Sequence, residues 1–195
     1  MSTSPGPQGP PKRRADAVRN RELALAAAVA LMSERGASLT VETIARRAGL
    51  GAATVVRAFG GKDALLDAAV AQLLEPVVQR ARDLLAETAP YLALRTFLGE
   101  LIAFQAAHHA VNEQLTGLDL PATTALRAGL VGAVEEMIGG ARRDGEVRAD
   151  LDPAVISALI GATALAVARA EPSSPDLVHA YLTVLLDGLR PHLAA

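Results

Sequence analysis

Apolar residues recur along this chain with the period of an α-helix rather than with the alternation of a strand. The first such stripe lies within residues 19–35 and contains Ala24, Leu25, Ala28, Leu31 and Met32. Gly36 follows the stripe, and glycine is the residue that most often ends a helix. The pattern therefore predicts a first helix over residues 19–35.

A short second helix is predicted between Thr40 and Gly49. Thr40 stands at an N-cap position, where its hydroxyl can accept a hydrogen bond from a free backbone N–H, and Gly49 stands at the C-terminal end. The inner face of this helix contains Val41, Ile44, Ala45 and Ala48. Its apolar side is therefore expected to pack against the first helix.

A third short helix is predicted after the turn Gly49-Leu50-Gly51, and it ends near Phe59. Val55 and Phe59 are both apolar and lie one helical turn apart, so both are expected to face the core. The opposite, outward face then carries Thr54, Arg57 and Ala58.

The remainder of the chain is also predicted to be helical. Gly60-Gly61 interrupts the pattern, and Lys62-Asp63 opens a longer helix that Pro76 either kinks or restarts. Further helices are expected over residues 77–88, 91–110, 122–144, 153–170 and 175–189. The fold class is therefore all-α, with a disordered basic N-terminal tail (1–17), a three-helix head (18–63) and a larger helical domain (64–195).

Composition supports an all-helical, non-membrane protein. The chain is 51% hydrophobic but only 3% aromatic, so its core must be built mainly from Ala, Leu and Val, and it contains no cysteine for a disulfide or a thiolate metal site. The longest apolar stretch, residues 154–168, would span about 22 Å as a helix, which is shorter than a bilayer core of about 30 Å. The N-terminus lacks an apolar run after its basic residues, so we expect a cytoplasmic protein.

Charge is distributed unevenly along the chain, although its net value is only −2. Residues 1–62 hold ten Lys or Arg and four Asp or Glu, giving +6, and the remainder holds nine and seventeen, giving −8. A basic head on an acidic body suits a protein whose one end contacts phosphates. Two short helices joined by a glycine-containing turn within that basic segment describe a helix-turn-helix DNA-binding domain.

The head resembles the N-terminal domain of the TetR/AcrR family of bacterial transcriptional regulators. The resemblance covers about a quarter of the chain and is carried by landmarks in the family's order and spacing: Glu34-Arg35-Gly36, Thr40-Val41, Ile44-Ala45, Ala48-Gly49-Leu50, Thr54, Phe59 and Lys62-Asp63-Ala64-Leu65-Leu66. It implies a dimeric regulator, usually a repressor, that binds a palindromic operator in double-stranded DNA. A small molecule would release it.

Carried over to this sequence, the resemblance implies that Thr40, Thr43 and Lys62 contact phosphate and that the third helix is the recognition helix. The predicted DNA-binding residues are Thr40, Thr43, Gly51, Ala52, Ala53, Thr54, Val56, Arg57 and Lys62. Short side chains on that helix can approach base edges, threonine and alanine methyls can contact a thymine methyl, and arginine can pair with guanine.

This sequence departs from the family pattern on the recognition helix. The family usually has an aromatic residue where Val56 stands, often a histidine at Ala58 and often a lysine or polar residue at Ala52. Phosphate binding by the recognition helix would then be weaker, or would shift onto Arg57 and the flanking residues Arg46, Arg47, Arg13 and Arg14. The alternative hypothesis is a helical interaction or sensor protein whose head no longer binds DNA.

The larger domain is expected to hold the effector. The helices over 91–110 and 122–144 are predicted to enclose an apolar cavity for an apolar or mildly polar small molecule. The predicted ligand-binding residues are Phe97, Leu101, Phe104, Gln105, His108, Leu126 and Leu130, with Asn112 as a further polar contact.

No metal, cofactor or enzymatic activity is expected. His108, His109, Asn112 and Glu113 lie on neighbouring turns, but their spacing matches no standard metal-ligand set. No Ser/His/Asp grouping is visible. The faint glycine pattern at residues 49–54 lacks the third glycine and the preceding strand of a dinucleotide-binding motif.

The last two helices are predicted to form a homodimer interface. The helix over 153–170 has a stripe of small residues, Ser157, Gly161 and Ala168, that permits close approach of another helix, although the stripe could equally pack inside one subunit. The helix over 175–189 offers an apolar stripe: Leu177, Tyr181, Val184, Leu185 and Leu189. The resemblance implies a four-helix bundle across a two-fold axis.

Overall fold

The computed structural model describes residues 11–34, 36–115, 117–170 and 175–191. These residues form helices and connecting loops without a β-strand, which confirms the all-α prediction. The helices are α1 (Pro11–Met32), α2 (Val41–Ala48), α3 (Ala52–Phe59), α4 (Lys62–Glu87), α5 (Pro90–Gln114), α6 (Pro121–Arg143), α7 (Pro153–Arg169) and α8 (Pro175–Gly188). The chain divides into two compact units, Met1–Ala69 and Val70–Ala195, called the head and the body below. The division falls later than the expected boundary at residue 63, within α4.

α1 begins earlier than its apolar stripe predicts. The tail was expected to extend through residue 17, but the helix starts at Pro11, so the prediction is wrong for residues 11–17. Proline fits the first position of a helix because its missing N–H would be unpaired there anyway, and the alanines and arginines that follow are good helix formers. Residues 1–10 lie outside the described residues.

The head is a small core of three mutually packed helices. α1 packs against α2 and α3, and α2 packs against α3. The inward positions of Val55 and Phe59 are confirmed, since both side chains are buried, and Ile44 of α2 is fully buried with them. Because the helices are short, these few side chains supply most of what holds α3 in place.

The ends of α2 are fixed by local hydrogen bonds. Thr40 is the N-cap, and its Oγ1 accepts from the Thr43 N–H at 3.2 Å. Gly49 ends the helix at φ 68°, a left-handed conformation that glycine adopts without the steric cost of a Cβ. The next N–H, of Leu50, then donates to the carbonyl of Ala45 at 2.9 Å. This cap turns the chain directly into α3.

α4 continues through Pro76 instead of restarting after it. A single helix spans Lys62–Glu87, so the separate helix expected over residues 77–88 is wrong. Pro76 removes one N–H from the helix and leaves the carbonyl four residues earlier without its usual partner. That carbonyl belongs to Gln72, and both residues are exposed, so water can satisfy it at little cost.

The body is built around α5. This helix packs against α6, α7 and α8, while α7 also packs against α6 and α8. The core contains fully buried large side chains, among them Phe97, Leu98, Ile102, Met137 and Ile138. No helix in the described ranges is both long enough and apolar enough to cross a membrane.

Candidate DNA-binding head and effector cavity

The outward face of α3 consists of small and mixed side chains. Gly51, Ala53, Val56 and Arg57 are exposed, while Ala52 and Thr54 are half-buried. Val56 is 42% exposed. Packing of the head therefore does not require an apolar side chain at this position. Apart from Arg57 the side chains of this face are short and uncharged, so it has few groups that can bind phosphate.

Arg57 is the strongest hydrogen-bond donor on this face. Its Nη2 donates to Thr54 Oγ1 at 3.2 Å, which links the two side chains one turn apart. A guanidinium group carries five N–H donors, so Arg57 has further donors besides the one bonded to Thr54. The bond to Thr54 restricts the conformations of the Arg57 side chain.

Arg21 of α1 fixes the end of the recognition helix, a role that the sequence analysis missed. Its Nη1 donates to the Ala58 carbonyl at 2.7 Å, and its guanidinium carbon lies 4.0 Å from the centre of the Phe59 ring. The cation thus binds a helix C-terminus and an aromatic face together. No periodic pattern could identify this contact, because the partners are 37 residues apart in sequence.

Because α1 begins at Pro11, its charged residues Arg13 and Asp16 lie beside α3. A shallow cleft of about 360 Å³ is lined by Arg13, Asp16, Ala17, Asn20, Thr54, Arg57 and Ala58. Arg13, which was predicted as a flanking contact, therefore lies on the same cleft as Arg57. Arg47, predicted with it, instead forms an ion pair of 2.8 Å with Glu34.

Two helix N-termini supply the predicted phosphate contacts. At α2, the hydroxyls of Thr40 and Thr43 lie 2.9 Å apart, and both side chains are half-buried. At α4, Lys62 is the first helical residue and is exposed. Free N–H groups at a helix N-terminus attract anions. Both positions suit phosphate binding, and their roles stay predictions.

The body contains a cavity of about 600 Å³. Its walls come from α4, α5, α6 and α7 and from the loop between α5 and α6. Of the predicted ligand-binding residues, those that line the cavity are Leu101, Phe104, Gln105, His108 and Leu130. The volume is within the range of about 300–1,000 Å³ that is usual for small-molecule sites.

Phe97 and Leu126 do not line the cavity, contrary to prediction. Phe97 is fully buried in the core of the body, so its ring is covered by other side chains. On α6 the cavity side follows the helical spacing of Thr123, Arg127, Leu130 and Val134. Leu126 precedes Arg127 by one residue and therefore points roughly 100° away from that side.

Four polar lining residues were not anticipated, namely Thr123, Thr124, Arg127 and Ser157. The other polar lining residues, Gln105 and His108, were predicted. The signal for those on α6 was the spacing of polar residues at 123, 124 and 127 in the otherwise apolar first part of the helix, residues 121–134. The sequence alone could not show that this side faces a cavity rather than solvent.

Two neighbouring side chains on α5 are held in defined positions. His108 Nδ1 lies 2.8 Å from the Phe104 carbonyl, and the two rings stack with centroids 4.5 Å apart. Across the described residues, no cluster of three or more His, Cys, Asp or Glu could hold a metal ion. The side chains of His109, Asn112 and Glu113 lie outside the described residues.

Comparison with known proteins places this geometry in a family. A model described as "Bacterial regulatory proteins, tetR family" matches residues 24–69, and one described as "Transcriptional regulator SbtR-like, C-terminal domain" matches residues 89–191. The chain belongs to the TetR family of transcriptional regulators. The resemblance seen in the sequence is confirmed, and the head is a TetR-type helix-turn-helix domain.

Solved structures of transcriptional regulators resemble most of the chain. A TetR regulatory protein from Mycobacterium vanbaalenii is 35% identical over 91% of this chain and 99% of its own, with a TM-score of 0.62. SCO0520 from Streptomyces coelicolor is 31% identical over 89% and 99%, with a TM-score of 0.62. FadR from Bacillus subtilis, solved with stearoyl-CoA, shares the fold at 20% identity over 87% and 99%, with a TM-score of 0.70. No curated protein matches the chain.

Proposed function

We propose that this TetR-family regulator is a cytoplasmic, homodimeric repressor that binds a palindromic operator and is released by a small molecule. The observation that carries the proposal is the combination of an exposed recognition face on α3 with a small-molecule cavity in the body. A surface for bases and a cavity for a ligand in one chain are the two sites that ligand-controlled DNA binding requires.

DNA binding is supported by the arrangement of the head. Arg57 and Thr54 lie on the outward side of α3, while Arg21 holds the C-terminal end of that helix against α1. The helix can therefore enter a major groove as a rigid element, with its short N-terminal residues nearest the bases. Thr40, Thr43 and Lys62 would bind the flanking phosphates.

Homodimer formation is supported by exposed apolar residues on α7 and α8. Leu159 of α7 is 55% exposed and Val184 of α8 is 74% exposed, and Val155 and Leu177 extend the two stripes. Contiguous exposed apolar residues on adjacent helices are typical of an interface between subunits. A second copy related by a two-fold axis would bury both stripes and give the operator its palindromic symmetry.

Release by a small molecule is supported by the walls of the cavity. Val70, Leu73 and Leu74 of α4 form part of the lining, and α4 is one continuous helix that begins at Lys62. An effector that binds more tightly when α4 is displaced than when it is in its present position would shift the population toward the displaced conformation, which releases DNA. A relative of the same fold, FadR, has been solved with a bound acyl-CoA, which also favours a small-molecule effector.

Selection of bound fragments from genomic DNA with the purified full-length protein tests the proposal. We expect enrichment of a palindromic sequence at low salt, with two chains bound per site. Failure to enrich any palindrome would overturn the repressor assignment and favour the alternative, an interaction protein with an inactive head.

A further inference from the structure

The first turns of α1 lie beside the outward face of the recognition helix, across the cleft of about 360 Å³. The α1 residues that line this cleft are Arg13, Asp16, Ala17 and Asn20. They are spaced by three and four positions, which places them on one face of the helix. One face of α1 therefore borders the same cleft as Thr54 and Arg57, the side chains that we expect to contact bases.

This face of α1 is mainly polar. The apolar surface of the cleft comes from Ala17 and Ala58, which are both small, so the two helices leave an open groove here. The side chains of Arg13 and Asp16 are exposed, so packing of the head does not require either of them. They are free to contact a molecule that approaches α3.

Asp16 is the acidic member of the cleft lining. Among the ion pairs that join described residues, none includes Asp16, so its carboxylate does not serve to neutralise Arg13 or Arg57. Beside bound DNA, a carboxylate is repelled by the phosphates. It is stabilised there only where it accepts a hydrogen bond, and in the major groove cytosine presents its N4 amino group as a donor.

Arg57 and Asp16 offer complementary groups to the edge of the bases. The guanidinium of Arg57 can donate to O6 and N7 of a guanine, and the carboxylate of Asp16 can accept from N4 of a cytosine. A recognition helix in the major groove brings Arg57 to the base edges. Asp16 lines the same cleft as Arg57, so it is carried to the same stretch of the groove.

We propose that α1 takes part in reading the operator, and that Asp16 accepts a hydrogen bond from N4 of a cytosine in a base pair neighbouring the one that Arg57 contacts. This inference rests on the proposed function, because it takes α3 to bind an operator. Since the two subunits of a homodimer are identical, each half-site of the operator carries this cytosine.

Selection of bound sites from a randomised duplex library tests this inference, with the full-length natural protein compared with Asp16→Ala and Arg57→Ala. Asp16→Ala is expected to fold, because Asp16 is exposed and alanine favours a helix. We expect this variant to lose the cytosine preference at one position of each half-site and to bind the natural protein's site about tenfold more weakly. Arg57→Ala should lose preference at the neighbouring position.

Glu22→Ala is the matched control for the change in charge. It removes the same charge from an exposed position on the same helix, and Glu22 does not line the cleft. The control should select the same site as the natural protein. It should bind that site equally or slightly more tightly, because a charge that repels phosphates is removed.

The direction of the change separates the two effects of an acid near DNA. If Asp16→Ala selects the natural site and binds it equally or more tightly, Asp16 only repels phosphates and the inference is overturned. Loss of preference only at the position that Arg57 reads would also overturn it, because Asp16 would then act through Arg57. So would a natural site without cytosine beside that position.

These outcomes are distinct from failure of the proposed function. A natural protein that selects a palindrome, together with an Asp16→Ala variant that selects the same palindrome, rejects the contact of Asp16 and leaves the repressor assignment intact. A natural protein that selects no site rejects both.

Discussion

In the head the candidate functional side chains lie on the short helices α2 and α3 and at the start of α4, whereas in the body they line a cavity enclosed by longer helices. The head depends on local devices: the Thr40 cap, the Gly49 turn and the contact of Arg21 with the end of α3. The body depends on large apolar side chains buried along α5, α6 and α7. A surface that binds DNA requires a defined orientation of one helix, whereas a ligand cavity requires packed apolar walls with a few polar groups.

The two regions also differ in net charge. Residues 1–69 contain ten basic and six acidic residues, and residues 70–195 contain nine and fifteen. The excess of positive charge in the head attracts phosphates, and the negative body repels them. DNA is thereby directed to one end of the chain, which a uniform distribution of the same net charge would not achieve.

Removal of a core side chain from each region is expected to give the largest effects. Phe59→Ala should destabilise the head by about 3–5 kcal/mol and abolish operator binding, while leaving the stability of the body unchanged. Ile138→Ala should destabilise the body by about 2–5 kcal/mol. Chemical denaturation followed by circular dichroism measures both. If the two substitutions shift one common transition equally, the comparison fails, because head and body then unfold as one unit.

Disruption of the proposed dimer interface is expected to have the second-largest effect. Val184→Glu places a charge on the most exposed apolar position of α8 and should raise the dimer dissociation constant by about 30-fold or more. Leu92→Glu is the control, since Leu92 is also exposed and apolar but lies on α5. Analytical ultracentrifugation measures the constants. A dimer unaffected by Val184→Glu would exclude this face of α8 from the interface.

Loss of a helix cap should have a smaller effect, and one that is similar in both regions. Asp152 caps α7 by accepting from the Ala154 N–H at 2.8 Å, as Thr40 caps α2. Thr40→Ala and Asp152→Ala should each cost about 1 kcal/mol, the first in the head and the second in the body. Denaturation curves check the values. Operator affinity should fall only for Thr40→Ala, and an equal loss for both would argue against a phosphate contact at α2.

The smallest effect is expected at high pH in the body. Burial raises the pKa of the Tyr181 hydroxyl above its ordinary value of 10.0, partly offset by its hydrogen bond with Thr163. The folded state therefore favours the neutral phenol. The stability that this preference contributes is fully present below the unfolded pKa near 10, and it is lost as the pH rises through the higher pKa of the folded state. Tyr181→Phe should make the melting temperature less sensitive to pH above about 10. An identical alkaline decline in both proteins would contradict the assignment.

The two regions also differ in how much the sequence could predict. Helical periodicity and capping residues placed α2 and α3 and the inward positions of Val55 and Phe59, because these depend on neighbours within a few residues. Contacts across the fold were beyond such patterns, as Arg21 shows for the head. In the body, Phe97 and Leu126 were wrongly assigned to the cavity, since an apolar stripe does not distinguish core from cavity wall. At Pro76 the sequence left a kink and a restart open, because the cost of a proline depends on whether water can reach the carbonyl that it leaves unpaired.

The central claim is that the exposed face of α3 reads DNA, and the affinity of Arg57→Ala for the selected operator tests it most directly. Arg82→Ala serves as the control, because it removes the same charge from an exposed position on α4 in the body. We predict that Arg57→Ala weakens operator binding by about 1–3 kcal/mol and relaxes sequence preference, while the dimer stays intact and Arg82→Ala binds normally. Unchanged affinity and preference in Arg57→Ala would contradict the account.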